Sequence, residues 1–187
     1  MSSRHLLSLL PALLTAILLH ASPASAQVEL ADITCKGTVK QTWTPGLRML
    51  PANVRYTNDT HFTECTSAST GITAGRIRVD ETFTNSCLVN IERVEAVIEW
   101  SDGSESTVEL LGIPVNVLGS LQIFISLGRV TSGQFEGGAV SLTNVFAASD
   151  FLPCLTPTGL RSLSGRSGIV INKPSLPLPL PLPQPEQ

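Results

Sequence analysis

The side chains that usually perform acid–base and nucleophilic chemistry are scarce in this chain. Three histidines occur in its 187 residues, and two of them, His5 and His20, lie in an apolar N-terminal segment. A serine or cysteine triad would therefore have to use His61, which sits in a Thr-His-Phe-Thr pattern typical of a strand. There is no Gly-x-Ser-x-Gly elbow, and Gly133–Gly138 lacks the lysine of a phosphate-binding loop. The sequence predicts a non-enzymatic protein with no catalytic residue and no bound cofactor.

Carboxylates are the remaining candidates for chemistry. The segments on either side of Ser101-Asp102-Gly103 alternate apolar and polar residues, which predicts a hairpin with Gly103 in the left-handed conformation. A three-residue loop puts Ala96 opposite Val108 and Val94 opposite Leu110, so that the apolar residues share one face. In that register two pairs of glutamates face each other on the wet side: Glu95 with Glu109, and Glu99 with Glu105.

Like charges directly opposite each other on a sheet repel, so something must offset these glutamates. We expect solvent or basic neighbours to do so, because Arg76, Arg78 and Arg93 have outward-facing positions nearby. One alternative is a calcium ion held by the paired carboxylates. Another is a glycosidase-like pair, which would make the protein a carboxylate-based hydrolase.

The four cysteines of the chain predict two disulfides. No two of them have the C-x-x-C spacing of a redox motif or a zinc knuckle, and an even count in an exported protein indicates disulfide bonds with three possible pairings. Two of the cysteines begin similar passages, Cys-Thr-Ser-Ala-Ser-Thr-Gly and Cys-Leu-Thr-Pro-Thr-Gly, whose loops could lie side by side. On that ground we prefer Cys35–Cys87 with Cys65–Cys154.

Residues 1–26 have the pattern of a secretory signal peptide. Arg4 supplies the positive start, Leu6–Leu19 is an apolar run too short to span a bilayer comfortably, and Ala24-Ser25-Ala26 is a cleavage site. The protein is thus expected to be secreted or located in the cell envelope, with no transmembrane anchor after cleavage. Because only 12 basic residues face 15 acidic ones, a polybasic nucleic-acid surface is excluded. An unknown protein or a cell-surface glycan is the expected partner.

Residues 27–172 are expected to form a single all-β domain. Hydrophobic and polar residues alternate with a period of two, and turn signals recur at regular spacing. This pattern predicts an antiparallel β-sandwich or barrel of about eight to nine strands. The predicted strands are 33–43, 52–57, 60–66, 76–84, 89–100, the returning arm of the hairpin after 103, 117–127, 139–147 and 160–172. Residues 173–187 are predicted to be a proline-rich, disordered tail.

Several passages between residues 33 and 172 resemble a family of small, secreted, four-cysteine β-rich proteins of filamentous actinobacteria. These passages are Cys35-Lys-Gly-Thr38, Thr44-Pro-Gly-Leu47, Cys65 with Gly71-Ile-Thr-Ala-Gly75, Cys87, Ile98-Glu-Trp100 with Asp102-Gly103, Val130-Thr-Ser-Gly-Gln-Phe-Glu-Gly137, and Cys154-Leu-Thr-Pro-Thr-Gly-Leu160. The resemblance implies no assigned activity, so it transfers no functional residue. The richer content of Glu and Arg and the Leu-Pro tail depart from the family pattern.

These observations predict a non-enzymatic exported protein with a structural or binding role. The first alternative is a secreted inhibitor or ligand-binding module that makes contact through three loops. Those loops are Ser67–Gly75, Ser132–Gly138 and Pro153–Gly159.

Overall fold

The computed structural model describes residues 31–88 and 93–173. For residues 113–118 it describes the backbone but not the side chains. Within the described ranges the chain forms eight strands and one short 3-10 helix, Ala148–Leu155. The strands are β1 (Ile33–Leu47), β2 (Ala52–Ser67), β3 (Gly75–Asn85), β4 (Arg93–Trp100), β5 (Glu105–Leu118), β6 (Leu121–Gly133), β7 (Ala139–Ala147) and β8 (Leu160–Asn172).

The strands form a closed antiparallel barrel. Each strand pairs with the next one in the sequence, and β8 pairs with β1 to complete the ring. The all-β prediction is confirmed, and of the two predicted architectures the chain adopts the barrel. An eight-stranded barrel has an interior just wide enough for side chains to fill or for one small ligand. The inward-facing residues therefore decide whether the interior is solid.

The period-two pattern places apolar side chains inside the barrel. On β7, Val140, Leu142, Asn144 and Phe146 are buried, and the residues between them are partly exposed. The inner faces form two adjoining clusters of buried residues, one toward each end of the barrel. The hairpin predicted around Gly103 is confirmed, because Gly103 has φ +85° and the register pairs Ala96 with Val108.

The two ends of the barrel differ. The closed end carries the turns at 68–74, 101–104 and 134–138. Ile72 and Phe135 from these turns, and Trp100 at the end of β4, are buried there. Trp100 packs edge-on against Phe135, with 5.7 Å between ring centroids, and its indole N–H donates to Ser106 Oγ at 2.8 Å. The open end carries the turns at 48–51 and 119–120 and the 3-10 helix.

The turn predicted at Asn58-Asp59 is wrong, because β2 runs without interruption through both residues. Asn58 pairs with Gln41 on β1 and with Val79 on β3, and its side chain is buried. Asn and Asp are common in turns, but inside this sheet the Asn58 amide has side-chain partners that replace the local backbone bonds of a turn.

Two further strand predictions differ from the structure. The predicted strand 117–127 is split by a hairpin turn, with Gly119 at φ +69° between β5 and β6. Apolar residues on both arms hid this turn in the sequence. β1 also continues past the predicted turn at Thr44–Gly46 to Leu47, with a cis Thr44–Pro45 bond and a shift in its pairing with β8. Proline has no N–H to donate, so the ladder is interrupted there.

The disulfides are Cys35–Cys65 and Cys87–Cys154, and the preferred pairing is wrong. Cys35 and Cys65 lie directly opposite each other on β1 and β2, with Cα atoms 4.0 Å apart. Cys87 follows β3 at the open end of the barrel. Roughly 40 Å of strand separates it from Cys35, well beyond the ~7 Å that a disulfide can bridge.

Both bridges indicate an oxidising environment, as expected for an exported protein. No helix within residues 31–88 and 93–173 is both long and apolar enough to cross a membrane. The signal peptide predicted at 1–26, the tail beyond Lys173 and the part of the predicted strand at 89–92 lie outside the described residues.

We expect the oxidised chain to yield two cross-linked peptide pairs, since cleavage after lysine and arginine puts each cysteine in a different peptide. Mass spectrometry should find Cys35 with Cys65 and Cys87 with Cys154. Replacing Cys35 and Cys65 together with Ala should lower the free energy of unfolding by about 3–4 kcal/mol on the chain-entropy model, measured in urea. A Cys35–Cys87 peptide would contradict this arrangement.

Candidate ligand cavity

A cavity of about 230 Å³ lies inside the barrel toward its open end. Its wall is made of apolar and aromatic side chains, with a few amides and hydroxyls and with Gly112 on β5. None of the described residues that line it carries a charge. Such a lining, apolar with a few polar groups, is typical of small-molecule sites.

Two groups of aromatic rings form much of the wall. Trp43, Tyr56 and Phe83 lie side by side on β1, β2 and β3, with centroids 5.8 Å and 5.6 Å apart. The second group comes from β6 and the 3-10 helix, where Phe124 stacks on Phe151 at 5.8 Å. Phe146 on β7 does not line the cavity but supports this group, meeting Phe124 edge-on at 5.9 Å. An apolar molecule between these groups would contact aromatic rings on both sides.

A chain of hydrogen bonds fixes the polar side of the cavity. Thr60 Oγ1 donates to Asn58 Oδ1 at 2.8 Å, which turns the Asn58 amide so that Nδ2 donates to the Tyr56 hydroxyl at 3.0 Å. Gln41 Nε2 donates to the same hydroxyl at 3.0 Å. Burial raises the pKa of Tyr56 to about 12, against the effect of the hydrogen bonds from Asn58 and Gln41. The Tyr56 hydroxyl therefore keeps its proton at neutral pH.

The buried indole N–H of Trp43 has no hydrogen-bond partner among the described residues. Its side chain lines the cavity and is only 6% exposed, and Nε1 has no hydrogen-bond acceptor within the described part of the chain. A buried donor left unpaired costs about 1–3 kcal/mol.

The barrel wall is not fully hydrogen-bonded beside the cavity. Among the described residues, only Gly75–Arg78 of β3 pair with Val97–Trp100 of β4. Continuing this ladder would place Asp80 opposite Glu95 on the outer face and Glu81 opposite Val94 on the inner face. The first pairing would place like charges together and the second would desolvate a carboxylate, so both disfavour an extension of the ladder beyond Arg78 and Val97.

Arg55 on β2 binds the Asp80 carboxylate on the side of β3 that faces away from β4. Its Nε and Nη2 donate to the two Asp80 oxygens at 2.8 Å and 2.6 Å. This exposed, two-pronged contact spans β2 and β3, away from β4. Val79, Phe83 and Val94 line the cavity next to the separated strands and are half-buried there.

Exposed apolar side chains surround the open end. Most of the large hydrophobic residues that are exposed in the described chain lie at this end, in its turns, in the 3-10 helix or at the start of β6: Met49, Leu50, Leu88, Leu121, Leu152 and Leu155. Leu50 is 79% exposed and Leu155 is 73% exposed. The Cys87–Cys154 bridge joins two of these segments. The approach to the cavity is thus apolar as well.

The predicted pairs Glu95–Glu109 and Glu99–Glu105 do lie opposite each other, on the outer face. Arginines stand beside them. Glu109 accepts from Arg93 Nη1 at 2.6 Å and lies 3.7 Å from Arg129 Nη2.

Arg76 pairs across the sheet with Glu99. In the described residues no three or more His, Cys, Asp or Glu side chains lie close enough to hold a metal ion. The outer-face glutamates are not among the residues that line the cavity.

His61 also lies on the outer face. Its Nε2 is 3.0 Å from Asp59 Oδ1, and Arg76 donates to both Asp59 oxygens at 2.8 Å and 2.7 Å. The Arg76 guanidinium is the main reason that the pKa of Asp59 lies below its ordinary value. His61, Asp59 and Arg76 thus form an ion-paired group on the barrel surface, and none of the three lines the cavity.

The three loops expected to form a contact surface do not lie together. Ser67–Gly75 and Ser132–Gly138 are at the closed end, whereas Pro153–Gly159 is at the open end. The cavity residues were missed, although one signal was present. Gln41 interrupts the apolar face of β1 formed by Val39 and Trp43, which marks an inward-facing polar group.

Asp59 should contribute to acid sensitivity. Its pKa is lowered in the folded state, so its contribution to stability is present above about pH 4 and is lost as the pH falls through the lowered pKa. We expect Asp59→Asn to flatten the fall of the unfolding free energy below about pH 4, by on the order of 0.5 kcal/mol because the pair is part-exposed. Urea unfolding over a pH series measures this. Asp150→Asn, at an exposed carboxyl outside any ion pair of the described chain, is the control, and equal slopes for Asp59→Asn and the unsubstituted protein would refute the expectation.

Calcium should leave the melting temperature unchanged. Arg93 and Arg129 already offset the Glu109 carboxylate, so a cation gains little there. Thermal melts in millimolar calcium and in a chelator test this. A calcium-dependent rise that disappears in Glu95→Gln/Glu109→Gln would instead establish the calcium alternative.

In comparisons with known proteins, the chain matches no family model, no curated protein and no solved structure. The actinobacterial resemblance stays a prediction, and the function proposed for the chain rests on the geometry of its barrel.

Proposed function

We propose that the protein is an exported, non-enzymatic binding protein that holds one small, largely apolar molecule inside its barrel. The observation that carries the proposal is the uncharged cavity of about 230 Å³ between two groups of aromatic rings. In this proposal the ligand binds in the cavity, rather than at the three loops of the sequence-based alternative.

The size of the cavity limits the ligand. An apolar cavity of about 150 Å³ accepts benzene, so this one accommodates roughly ten non-hydrogen atoms. Pockets for drug-sized ligands are larger, at roughly 300–1,000 Å³. The occupant is therefore a small aromatic or alicyclic compound rather than an oligosaccharide or a long-chain lipid.

The chemistry of the wall favours binding over catalysis. Among the described lining residues there is no histidine, free thiol or carboxylate to act as an acid, base or nucleophile. Tyr56 keeps its proton at neutral pH. The apolar open end suits a ligand that partitions out of water, and both disulfides suit a protein that works outside the cytoplasm.

Gly112 allows a direct test. A Cβ at this position would meet only Ser126 Oγ, at 3.8 Å, so a larger side chain can extend into the cavity without touching backbone. We expect Gly112→Leu to fold and to fill the space. Thr107→Leu, which adds the same side chain to the outer face of the same strand, is the matched control.

The measurement is the melting temperature with and without a saturating small aromatic compound such as isopropylbenzene or acetophenone. Saturation at about 100 times Kd stabilises a folded protein by about 2.7 kcal/mol. The unsubstituted protein and Thr107→Leu should be stabilised, and Gly112→Leu should not. An equal response in Gly112→Leu, or none in the unsubstituted protein for any compound tested, would overturn the proposal.

A further inference from the structure

Resting on the proposed function, we infer that the ligand of the cavity is uncharged and carries a hydrogen-bond acceptor, such as a ketone, aldehyde or ester carbonyl. The acceptor meets the wall formed by Trp43 and Tyr56. The apolar body of the ligand lies against the phenylalanine group on the other side.

The first step is a count of donors. The indole N–H of Trp43 has no acceptor within the described residues. The Tyr56 hydroxyl accepts from Gln41 and from Asn58, which uses its two lone pairs. Its own proton has no acceptor in the described chain, so a second donor is also unused.

The second step is the position of these donors. Trp43 and Tyr56 are opposite each other on β1 and β2, and their ring centroids are 5.8 Å apart with the planes tilted by 34°. Both residues line the cavity. A single ligand oxygen, which has two lone pairs, can therefore accept hydrogen bonds at the wall that carries both donors. A ligand that offers only donors finds the Tyr56 lone pairs already occupied.

The third step concerns charge. No lysine, arginine or histidine is among the described lining residues, so a carboxylate ligand would be buried without a counter-charge. Glu81 pairs with Tyr56 across β2 and β3 and adds a negative charge on that side. A cation would find no carboxylate among the described lining residues, and it would meet two N–H or O–H donors at the polar wall. A neutral acceptor meets the donors without either cost.

Four probes of nearly the same shape separate these possibilities. Isopropylbenzene, acetophenone, benzoate and benzamidinium each have about nine non-hydrogen atoms, within the roughly ten that the cavity accommodates. They differ in being apolar, a neutral acceptor, an anion and a cation. Affinities for the full chain with both disulfides formed are measured by calorimetry or by ligand-induced melting shifts. One added hydrogen bond should make acetophenone bind roughly tenfold more tightly than isopropylbenzene, and more tightly than both ions.

Nuclear magnetic resonance of the indole N–H groups supplies an internal control. Trp43 and Trp100 are the two tryptophans of the chain, and Trp100 already donates to Ser106. Acetophenone should shift the Trp43 indole proton downfield and leave that of Trp100 in place. Isopropylbenzene should produce no comparable downfield shift.

Two variants test the donors. In Trp43→Phe and in Tyr56→Phe the preference for acetophenone over isopropylbenzene should fall toward one. The ratio of the two affinities cancels any change in cavity volume that both ligands experience. If Trp43→Phe does not fold, the indole resonances of the unsubstituted protein still decide the matter.

The outcomes distinguish this inference from the proposed function. If no probe binds, the proposed function fails. If isopropylbenzene binds as tightly as acetophenone, or if the preference survives in both variants, the cavity is a binding site but the acceptor inference is wrong. Tightest binding of benzoate or benzamidinium would also overturn the inference.

Discussion

Closure of the barrel by the pairing of β1 with β8 is the constraint on which the rest of the structure depends. Once the ring is closed, its radius is fixed by the number of strands and their tilt. Inner side chains must then fill a given volume, and they cannot adjust by opening the sheet. At the closed end Trp100, Phe135 and Ile72 fill it. At the open end the inner face has the small residues Gly112 and Ser126 opposite each other, and space remains.

The same constraint explains why polar groups occur inside. Gln41, Asn58 and Thr60 have inward positions set by the strand period, and burying their amides and hydroxyls without partners would be costly. They bond to one another and to Tyr56 in one chain of hydrogen bonds. Trp43 lies outside this chain of bonds, since its buried N–H has no acceptor among the described residues. The Trp43 N–H and the Tyr56 proton are therefore two donors without an acceptor in the described chain, and both residues line the cavity.

Sequence patterns predicted much of the sheet because alternation is a local property. The register of the β4–β5 hairpin followed from one glycine and the apolar residues on its arms. Two disulfides were predicted, but their pairing was wrong because it relied on the similar passages that follow Cys65 and Cys154. The turn predicted at Asn58-Asp59 also divided β2 and so hid the alignment of Cys65 with Cys35. With β2 continuous, the turn at 48–51 brings Cys35 opposite Cys65. Local signals alone do not distinguish a side-chain-bonded Asn in a strand from an Asn in a turn.

Other features depend on distant residues and could not be obtained from local patterns. Sandwiches and barrels share the same period, so the pairing of β1 with β8 leaves no mark in either strand. The cavity depends on the summed volumes of side chains from all around the ring. The gap between β3 and β4 depends on which carboxylates an extended ladder would bring together, and that requires the register at Arg78 and Val97.

The up-and-down order of the strands has a consequence for the life of the chain before it is complete. Seven of the eight seams join neighbours in the sequence, but the eighth joins the first strand to the last. Until β8 has emerged from the ribosome and docked, β1 and β7 each present a row of free peptide groups. Such rows are templates for pairing with another molecule. A chain truncated before Leu160 would keep them permanently, and its characteristic failure would be edge-to-edge self-association rather than simple loss of stability.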